Sequence, residues 1–264
     1  MSAEVVDRVL RSSRYRDVDP SLLARLAEEE LPRARNTDDA VKRVKRRLHQ
    51  AVGAFRATMP PGALAAAWSG SLVDPTFRAA CADALRAHAS TRERLPHLDA
   101  LYAGIWALTG VPRRLLDLGC GLNPLTLPWM GLATDATYSA LDVDRRPLAT
   151  VEAFLALVGQ PHSIQTRDVV EAPPTEEADV ALMLKLTTTL DRQDPEAAAR
   201  LIDGLRVRHA MVSFPKQTLG GRGKGMERTY RDRLQRLVAE VPRVSAVAEA
   251  SVPNELVFVL TLHG

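Results

Sequence analysis

From Pro112 onward the chain alternates short apolar runs with stretches of helical composition. The apolar runs are Leu115–Leu118, Thr137–Val143, Ser163–Val169, Val180–Leu186 and Ala210–Phe214, and segments such as Pro147–Val158 and Pro195–Leu205 lie between them. Strand-length runs separated by helices can return to one sheet only as parallel neighbours, through right-handed crossovers. The alternation therefore predicts a parallel sheet with helices on both faces. The tail breaks the rule. Val244–Val252 and Glu255–Leu262 are separated only by Pro253-Asn254, which predicts an antiparallel hairpin at a sheet edge. Residues 111–264 are thus expected to form an α/β, Rossmann-like domain of seven strands ending in that hairpin.

Residues 1–110 read as helical. Val5–Ser12 is a short amphipathic segment, and Asp19-Pro20 is an N-cap followed by a proline at the first helical position. Leu22, Leu23 and Leu26 share the face of that second helix. Thr37 or Asp38 is expected to cap a third, in which Val41, Val44, Leu48, Val52 and Phe55 recur at three- and four-residue spacing. Met59-Pro60-Pro61-Gly62 predicts a joint. Pro75–Ala89 and Ser90–Thr109 are two further candidate helices, the second opened by the capping-box pattern Ser90-Thr91-Arg92-Glu93. Residues 63–110 are expected to pack on the α/β domain.

Charge is unevenly placed. Residues 1–60 hold 13 Lys/Arg against 9 Asp/Glu, and residues 61–264 hold 22 against 23. The excess concentrates in Lys42, Arg43, Lys45, Arg46 and Arg47, between the apolar positions of the third helix. A second basic stretch runs through Lys216, Arg222, Lys224, Arg228, Arg231 and Arg233. Such clusters can track a phosphate backbone, and can equally be a solvated helix face and a loop. The Arg-to-Lys ratio of 30 to 5 in an alanine-rich chain reflects composition and carries no function. Two cysteines, Cys81 and Cys120, make no disulfide framework and fit no zinc spacing, so no metal is expected. No apolar run approaches membrane-spanning length, and MSAEVVDRVLRSSR lacks a signal-peptide core. A cytoplasmic protein is expected, and the lack of a heptad stripe suggests a monomer.

Three features point to a nucleoside ligand. Leu115-Leu116-Asp117-Leu118-Gly119-Cys120-Gly121 is a strand feeding a glycine turn, where the backbone can approach a ligand closely. Pro124 interrupts the dinucleotide fingerprint, so no pyrophosphate cradle follows. The next strand ends in Leu141-Asp142-Val143-Asp144, placing a carboxylate where it can accept from both ribose hydroxyls. The third ends in Arg167-Asp168-Val169, where a carboxylate can accept from an adenine amine while Val169 packs beside the ring. A lone Gly-x-Gly is equally a structural turn. Three such signals in chain order, each at a strand's carboxyl end, specify S-adenosylmethionine and a methyltransferase. The segment Met183–Gln193 lacks the Asn/Asp-Pro-Pro-aromatic motif of exocyclic adenine methylation. Neither cysteine sits beside a proline as a nucleophile for cytosine C5 does.

The chain resembles the aminoglycoside-resistance 16S rRNA methyltransferases that modify N7 of guanine 1405. The resemblance rests on His88-Ala89-Ser90-Thr91-Arg92-Glu93-Arg94-Leu95, on Leu116–Pro124, on Leu184-Lys185 through Asp191-Arg192-Gln193, and on Ser213-Phe214-Pro215 followed by Gly220-Gly221-Arg222-Gly223-Lys224-Gly225-Met226. It covers nearly the whole chain. It implies that Arg94 meets the methionine carboxylate, with His88 and Ser90 at the same end. Gly119 and Gly121 would pass close to the methionine moiety, Asp142 and Val143 would hold the ribose, and Asp168 and Val169 the adenine, with Leu184 on its other side. Lys185 and Gln193 would shape the floor near the sulfonium and the target base. Outside the resemblance, Arg94 reads as a surface helix residue and Lys185 as a strand-end salt bridge.

Guanine N7 carries a lone pair and no proton, so the implied transfer is an in-line displacement that needs orientation rather than a general base. A base taken out of the stack would need a flat side chain to hold it, with Phe214, Tyr138, Trp106 and Trp129 as candidates. The helices of residues 1–110 would dock on the 30S subunit through their basic face and the glycine-rich loop, which RNA would order. The methylated, positively charged base would block kanamycin- and gentamicin-type drugs. Alternatives are N1 methylation of adenine 1408, a small-molecule methyltransferase, and a ribosome-binding module that has lost catalysis.

Overall fold

The computed structural model describes residues 1–52, 62–86, 89–216 and 226–263. Three helices come first: α1 (Ser2–Leu10), α2 (Pro20–Glu30) and α3 (Thr37–Ala51). Asp19 caps α2 by accepting from the Ser21 N–H. Asn36, one residue before the expected cap, caps α3 by accepting from the Asp39 N–H, and Thr37 is the first helical residue. Val5, Val9, Leu22, Leu23, Leu26, Val41, Val44 and Leu48 bury one face of each helix in a core of their own. Phe55 and Met59–Pro61 lie outside the described residues.

Four helices follow: α4 (Ala63–Ala67), α5 (Pro75–Arg86), α6 (Ala89–Arg94) and α7 (Leu98–Thr109). The expected single helix over Ser90–Thr109 is broken at Leu95–His97 because Pro96 has no N–H to continue the ladder. Glu93, the acidic residue of the expected capping box, pairs with Lys185 at 2.6 Å. Residues of α5 and α7, including Phe77, Leu85, Leu101 and Tyr102, pack on the sheet rather than on α1–α3.

The strands are β1 (Arg114–Leu118), β2 (Thr137–Asp142), β3 (His162–Thr166), β4 (Glu177–Met183), β5 (Arg206–Pro215), β6 (Val244–Ala250) and β7 (Glu255–Leu262). They form one sheet in the order β3-β2-β1-β4-β5-β7-β6. The first five are parallel, and β7 is antiparallel to both β5 and β6. The other helices are α8 (Leu127–Met130), α9 (Arg145–Val158), α10 (Thr187–Asp191), α11 (Ala197–Gly204) and α12 (Met226–Ala239). Alternation along β4 shows why both faces are covered. Val180 and Leu182 join the core under α5, α7 and α9, while Ala181 and Met183 join the core under α11 and α12.

Several strand bounds differ from expectation: β5 starts at Arg206, four residues early, β6 ends at Ala250, two residues early, and β3 and β4 end early as well. β3 stops at Thr166, three residues early. Asp168 then turns the chain locally, its side chain accepting from the Val170 N–H and its carbonyl from the Ala172 N–H. β4 runs three residues earlier than expected and ends before Lys185, whose φ of 57° is left-handed. No helix among the described residues is long and apolar enough to cross a membrane.

The N-terminal helices are fastened to the sheet domain beside β2. The Asp19 N–H donates to the Val143 carbonyl (2.8 Å) and the Arg145 N–H to the Asp17 carbonyl (2.9 Å). Arg47, one of the basic residues expected to face RNA, is part of this junction. Its guanidinium pairs with Glu29 and Glu30 and donates to the Gln193 carbonyl at 3.0 Å. Arg43 pairs with Asp39 and Glu30. Lys42 and Arg46 are exposed.

Replacing Arg47 by Met is therefore expected to cost about 2 kcal/mol in urea denaturation, because it strips a partner from the buried Glu30. Lys42→Glu is expected to stay within about 0.5 kcal/mol. Equal effects of the two would place Arg47 on the free surface.

Candidate functional site

Strand order reverses between β1 and β4, and the carboxyl ends of β1, β2, β3 and β4 open there into one cavity. Ligands of open α/β sheets bind at such switch points. The cavity holds about 1030 Å³ of empty space, its mouth included. Gly119, Cys120 and Gly121 line it from β1, Asp142 and Val143 from β2, Arg167, Asp168 and Val169 from beyond β3, and Leu184, Lys185 and Leu186 from beyond β4. Leu22 of α2 and Val52, just past α3, also line it, so the N-terminal helices supply part of its wall.

The glycine turn is shaped by its neighbours. Gly119 and Gly121 have φ of 62° and 51°. A Cβ on Gly119 would come within 2.8 Å of Leu186 Cδ1, the movable tip of a side chain, so it is the positive φ that calls for glycine there. The Cys120 N–H donates to the Leu141 carbonyl (3.1 Å) and the Gly121 N–H to Asp142 Oδ2 (2.8 Å). Asp142 Oδ1 accepts from the Asp144 N–H at 3.0 Å. Each oxygen of Asp142 keeps a lone pair, so the carboxylate is fixed yet able to accept from a diol. Burial pushes its carboxyl up from the usual range, against the backbone N–H groups that pull it down.

Asp117, two residues before Gly119, was not singled out by sequence. Its Oδ2 accepts from Tyr138 (2.6 Å) and Asn123 (3.0 Å), while its Oδ1 is buried with no partner among the described residues. Burial pushes this carboxyl up to about 6.

The end of the cavity lined by Thr91 and Arg94 is held by a chain of polar contacts. Arg94, only 4% exposed, donates through Nε and Nη2 to Glu255 of β7 at 2.9 and 2.8 Å. The Ser213 hydroxyl of β5 donates to Glu255 Oε1 at 2.6 Å and accepts from the Lys185 N–H at 3.0 Å. Lys185 Nζ returns to Glu93 on α6. Arg94 is thus no surface residue, and Lys185 is both cavity lining and a strand-end salt bridge. Glu255 escaped the sequence reading. Its one signal is an acidic residue leading an otherwise apolar strand, with a buried basic residue elsewhere left to answer it.

The structure gathers Arg94, Gly119, Gly121, Asp142, Val143, Asp168, Val169, Leu184, Lys185 and Gln193 around this one cavity. Gln193 and Lys185 both line the cavity, and Gln193 is joined to Asp168 through Arg25 (2.8 Å to each). His88 lies outside the described residues, as do the side chain of Ser90 and residues Arg222 and Lys224. Lys216 donates to the Val252 carbonyl at 2.9 Å, so it braces the hairpin rather than reaching freely outward.

The aromatic candidates are displaced from the site. Phe214 is fully buried, stacked on Tyr230 (5.0 Å) and edge-on to Phe258. Tyr138 is buried with its hydroxyl on Asp117, and Trp106 donates to the Met130 carbonyl while stacking on Tyr102. Trp129 lies under the Arg78 guanidinium. Each packs in a core or along a helix, and the described cavity lining contains no aromatic ring. Burial raises both thiols, that of Cys81 to about 12, which leaves neither as a nucleophile.

Residues 11–259 match the family described as ribosomal RNA methyltransferase (FmrO). The chain is 40% identical to a protein of Frankia casuarinae named 16S rRNA (guanine(1405)-N(7))-methyltransferase, covering 97% of this chain and 94% of that one. A protein of the same name from Micromonospora echinospora is 37% identical over 97% of this chain and 95% of its own. Among solved structures, the 16S rRNA methyltransferase RmtF in complex with S-adenosyl-L-homocysteine superposes with a TM-score of 0.80 at 34% identity, covering 99% of this chain and 98% of that one. The 16S rRNA methylase RmtB gives the same TM-score at 28% identity over 100% and 99% of the two chains.

Asp117 makes a pH-dependent prediction. Its folded carboxyl lies above the 3.8 of the free group, so the stability it adds is complete below that pH and is lost as pH rises through about 6. Asp117→Asn removes this titration. The variant is expected to gain on the parent by up to about 3 kcal/mol between pH 4 and 7, in unfolding followed without ligand. A stability gap that stays flat over that range would mean that Asp117 carries no buried charge.

Proposed function

Because the chain belongs to the FmrO family of ribosomal RNA methyltransferases, we propose that it methylates N7 of guanine 1405 in the 16S rRNA of the assembled 30S subunit, with S-adenosylmethionine as donor. The observation that carries this reading is the convergence of Gly119, Asp142, Asp168 and Arg94 on one cavity at the switch point of the sheet. The residues suit the cofactor. A carboxylate fixed by two backbone N–H groups faces the cavity at Asp142, and a second carboxylate stands at Asp168. A buried guanidinium lies at the other end.

In this reading Asp142 accepts from the ribose hydroxyls. Asp168 accepts from the adenine amine, with Val169 and Leu184 against the ring. Arg94 receives the methionine carboxylate, and Glu255 holds its guanidinium in place through two parallel hydrogen bonds. The Lys185 ammonium, held by Glu93, adds positive charge at the same end. When bound, the cofactor supplies a methyl group on a sulfonium, an electrophile that needs no metal or covalent enzyme intermediate. The protein's task is to align that methyl with the N7 lone pair and to exclude water. No residue is required to take a proton, which fits a cavity whose carboxylates are all engaged in fixed hydrogen bonds.

The N-terminal helices serve as the docking module. Lys42 and Arg46, exposed on α3, supply its free positive charge. Lys45 is half-buried beside them. The product, a methylated base with a positive charge, would confer resistance to aminoglycosides that bind there.

Labelled S-adenosylmethionine supplied to intact 30S subunits and to naked 16S rRNA, followed by borohydride–aniline cleavage, tests the reading. Incorporation into 30S alone with cleavage at guanine 1405 is expected. The double variant Lys42→Glu, Arg46→Glu is expected to weaken 30S binding at unchanged affinity for S-adenosylhomocysteine. Transfer to neither RNA by a cofactor-binding protein would discard the target and favour a small-molecule acceptor.

A further inference from the structure

Arg25 belongs to α2, among the N-terminal helices, yet its guanidinium ends at the adenine end of the cavity, with its side chain only 11% exposed. Nε donates to Asp168 Oδ2 at 2.8 Å, Nη2 donates to Gln193 Oε1 at 2.8 Å, and Nη1 donates to Glu29 at 3.1 Å. From the same helical module, Arg47 Nη2 donates to the backbone carbonyl of Gln193 at 3.0 Å. Two arginines outside the sheet domain therefore hold Gln193, one by its side chain and one by its backbone.

A guanidinium has only donors. It can meet the Gln193 amide only through the oxygen, so Arg25 decides which way that amide is turned and leaves its NH₂ group for the opposite side. At Asp168, Oδ2 is taken by Arg25. Oδ1 accepts from the Val170 N–H at 3.1 Å and keeps a lone pair. Both residues line the cavity, so the pair has a carboxylate acceptor in Asp168 Oδ1 and an amide donor in the Gln193 NH₂ that Arg25 does not take. The Watson–Crick edge of adenine carries the complement, an amino donor next to a ring-nitrogen acceptor. Hypoxanthine presents the reverse, an oxygen acceptor next to an N–H donor.

We propose that Arg25 is a positioning residue of the cofactor site, fixing Asp168 and Gln193 as an acceptor–donor pair that selects adenine. It follows that the docking helices take part in cofactor recognition. The proposal rests on the reading of Asp168 as the adenine acceptor, and it moves Gln193, expected near the sulfonium and the target base, to that end because Arg25 ties the two together. A donor–acceptor pair of which Asp168 is buried and Gln193 half-buried rejects a mismatched ring because its own groups are left without partners.

The test is calorimetric titration of the full chain with S-adenosylhomocysteine and with S-inosylhomocysteine. The parent is expected to prefer the adenosyl ligand by about tenfold or more. Arg25→Met is expected to lose about tenfold in affinity for the adenosyl ligand and little for the inosyl one, so that the preference collapses. Arg25→Lys keeps the charge but not the two-pronged fork, and is expected to restore part of the preference. Parental preference in Arg25→Met, or an equal loss of both ligands, would overturn the proposal. If the methionine variant does not fold, Arg25→Lys decides: an unchanged preference there overturns it. Asp168→Ala separates the two layers. Preference lost in Asp168→Ala but kept in the Arg25 variants sinks the role of Arg25 alone. Preference kept in Asp168→Ala sinks the reading of the adenine end and the proposal with it.

Discussion

The Arg94–Glu255 pair joins α6 to β7, the last strand in the chain, with neither side chain more than 4% exposed. Two charges withdrawn from water in this way cost several kcal/mol unless their remaining hydrogen-bonding capacity is met. Here the contacts close on themselves. Glu255 accepts from Ser213, Ser213 accepts from the Lys185 backbone, and the Lys185 ammonium pairs with Glu93, on the same helix as Arg94. The circuit pins α6 to β7, β5 and the end of β4. It also explains why a lysine occupies left-handed backbone at 185: the conformation places its N–H on Ser213 and its ammonium on Glu93. The circuit holds the Arg94 guanidinium in one place at this end of the cavity.

The opposite end of the cavity is built differently. There the sheet contributes the carboxylates, while α2 and α3 contribute the cations and part of the apolar wall. Asp17 and Asp19 meet the loop after β2 through backbone hydrogen bonds, and Arg25 and Arg47 meet the loop after α10. The N-terminal helices thus supply part of the cavity wall and hold residues that line it. Positive charge on α3 is divided between two tasks, with Arg43 and Arg47 turned inward to carboxylates and Lys42 and Arg46 facing water.

Much of this was legible in the sequence because periodicity reports directly on burial. The five parallel strands, the terminal hairpin, Asp19 as a cap and the glycine turn each depend on neighbours close in the chain. The cavity residues Gly119, Asp142 and Asp168 were found because strand ends converge wherever a parallel sheet forms. What the sequence did not show depends on distant partners. Arg25 and Arg47 look like any solvated helix charge until α2 and α3 are laid against residues 168 and 193. Glu255 lies 161 positions from Arg94. Phe214 sits in a motif beside the site, but alternation along β5 turns its ring into the core beneath α12, while Ser213 faces the polar circuit. Strand ends slipped by three residues at β3 and β4 because a side-chain hydrogen bond and a left-handed residue, not hydrophobicity, stop them.

The most direct measurement is a crystal structure of the chain with S-adenosylhomocysteine. The account predicts adenine against Asp168 and Val169, the ribose hydroxyls on Asp142, and the carboxylate on Arg94 with the Arg94–Glu255 contact intact. A ligand bound elsewhere, or one whose carboxylate avoids Arg94 while that residue stays closed on Glu255, would contradict it.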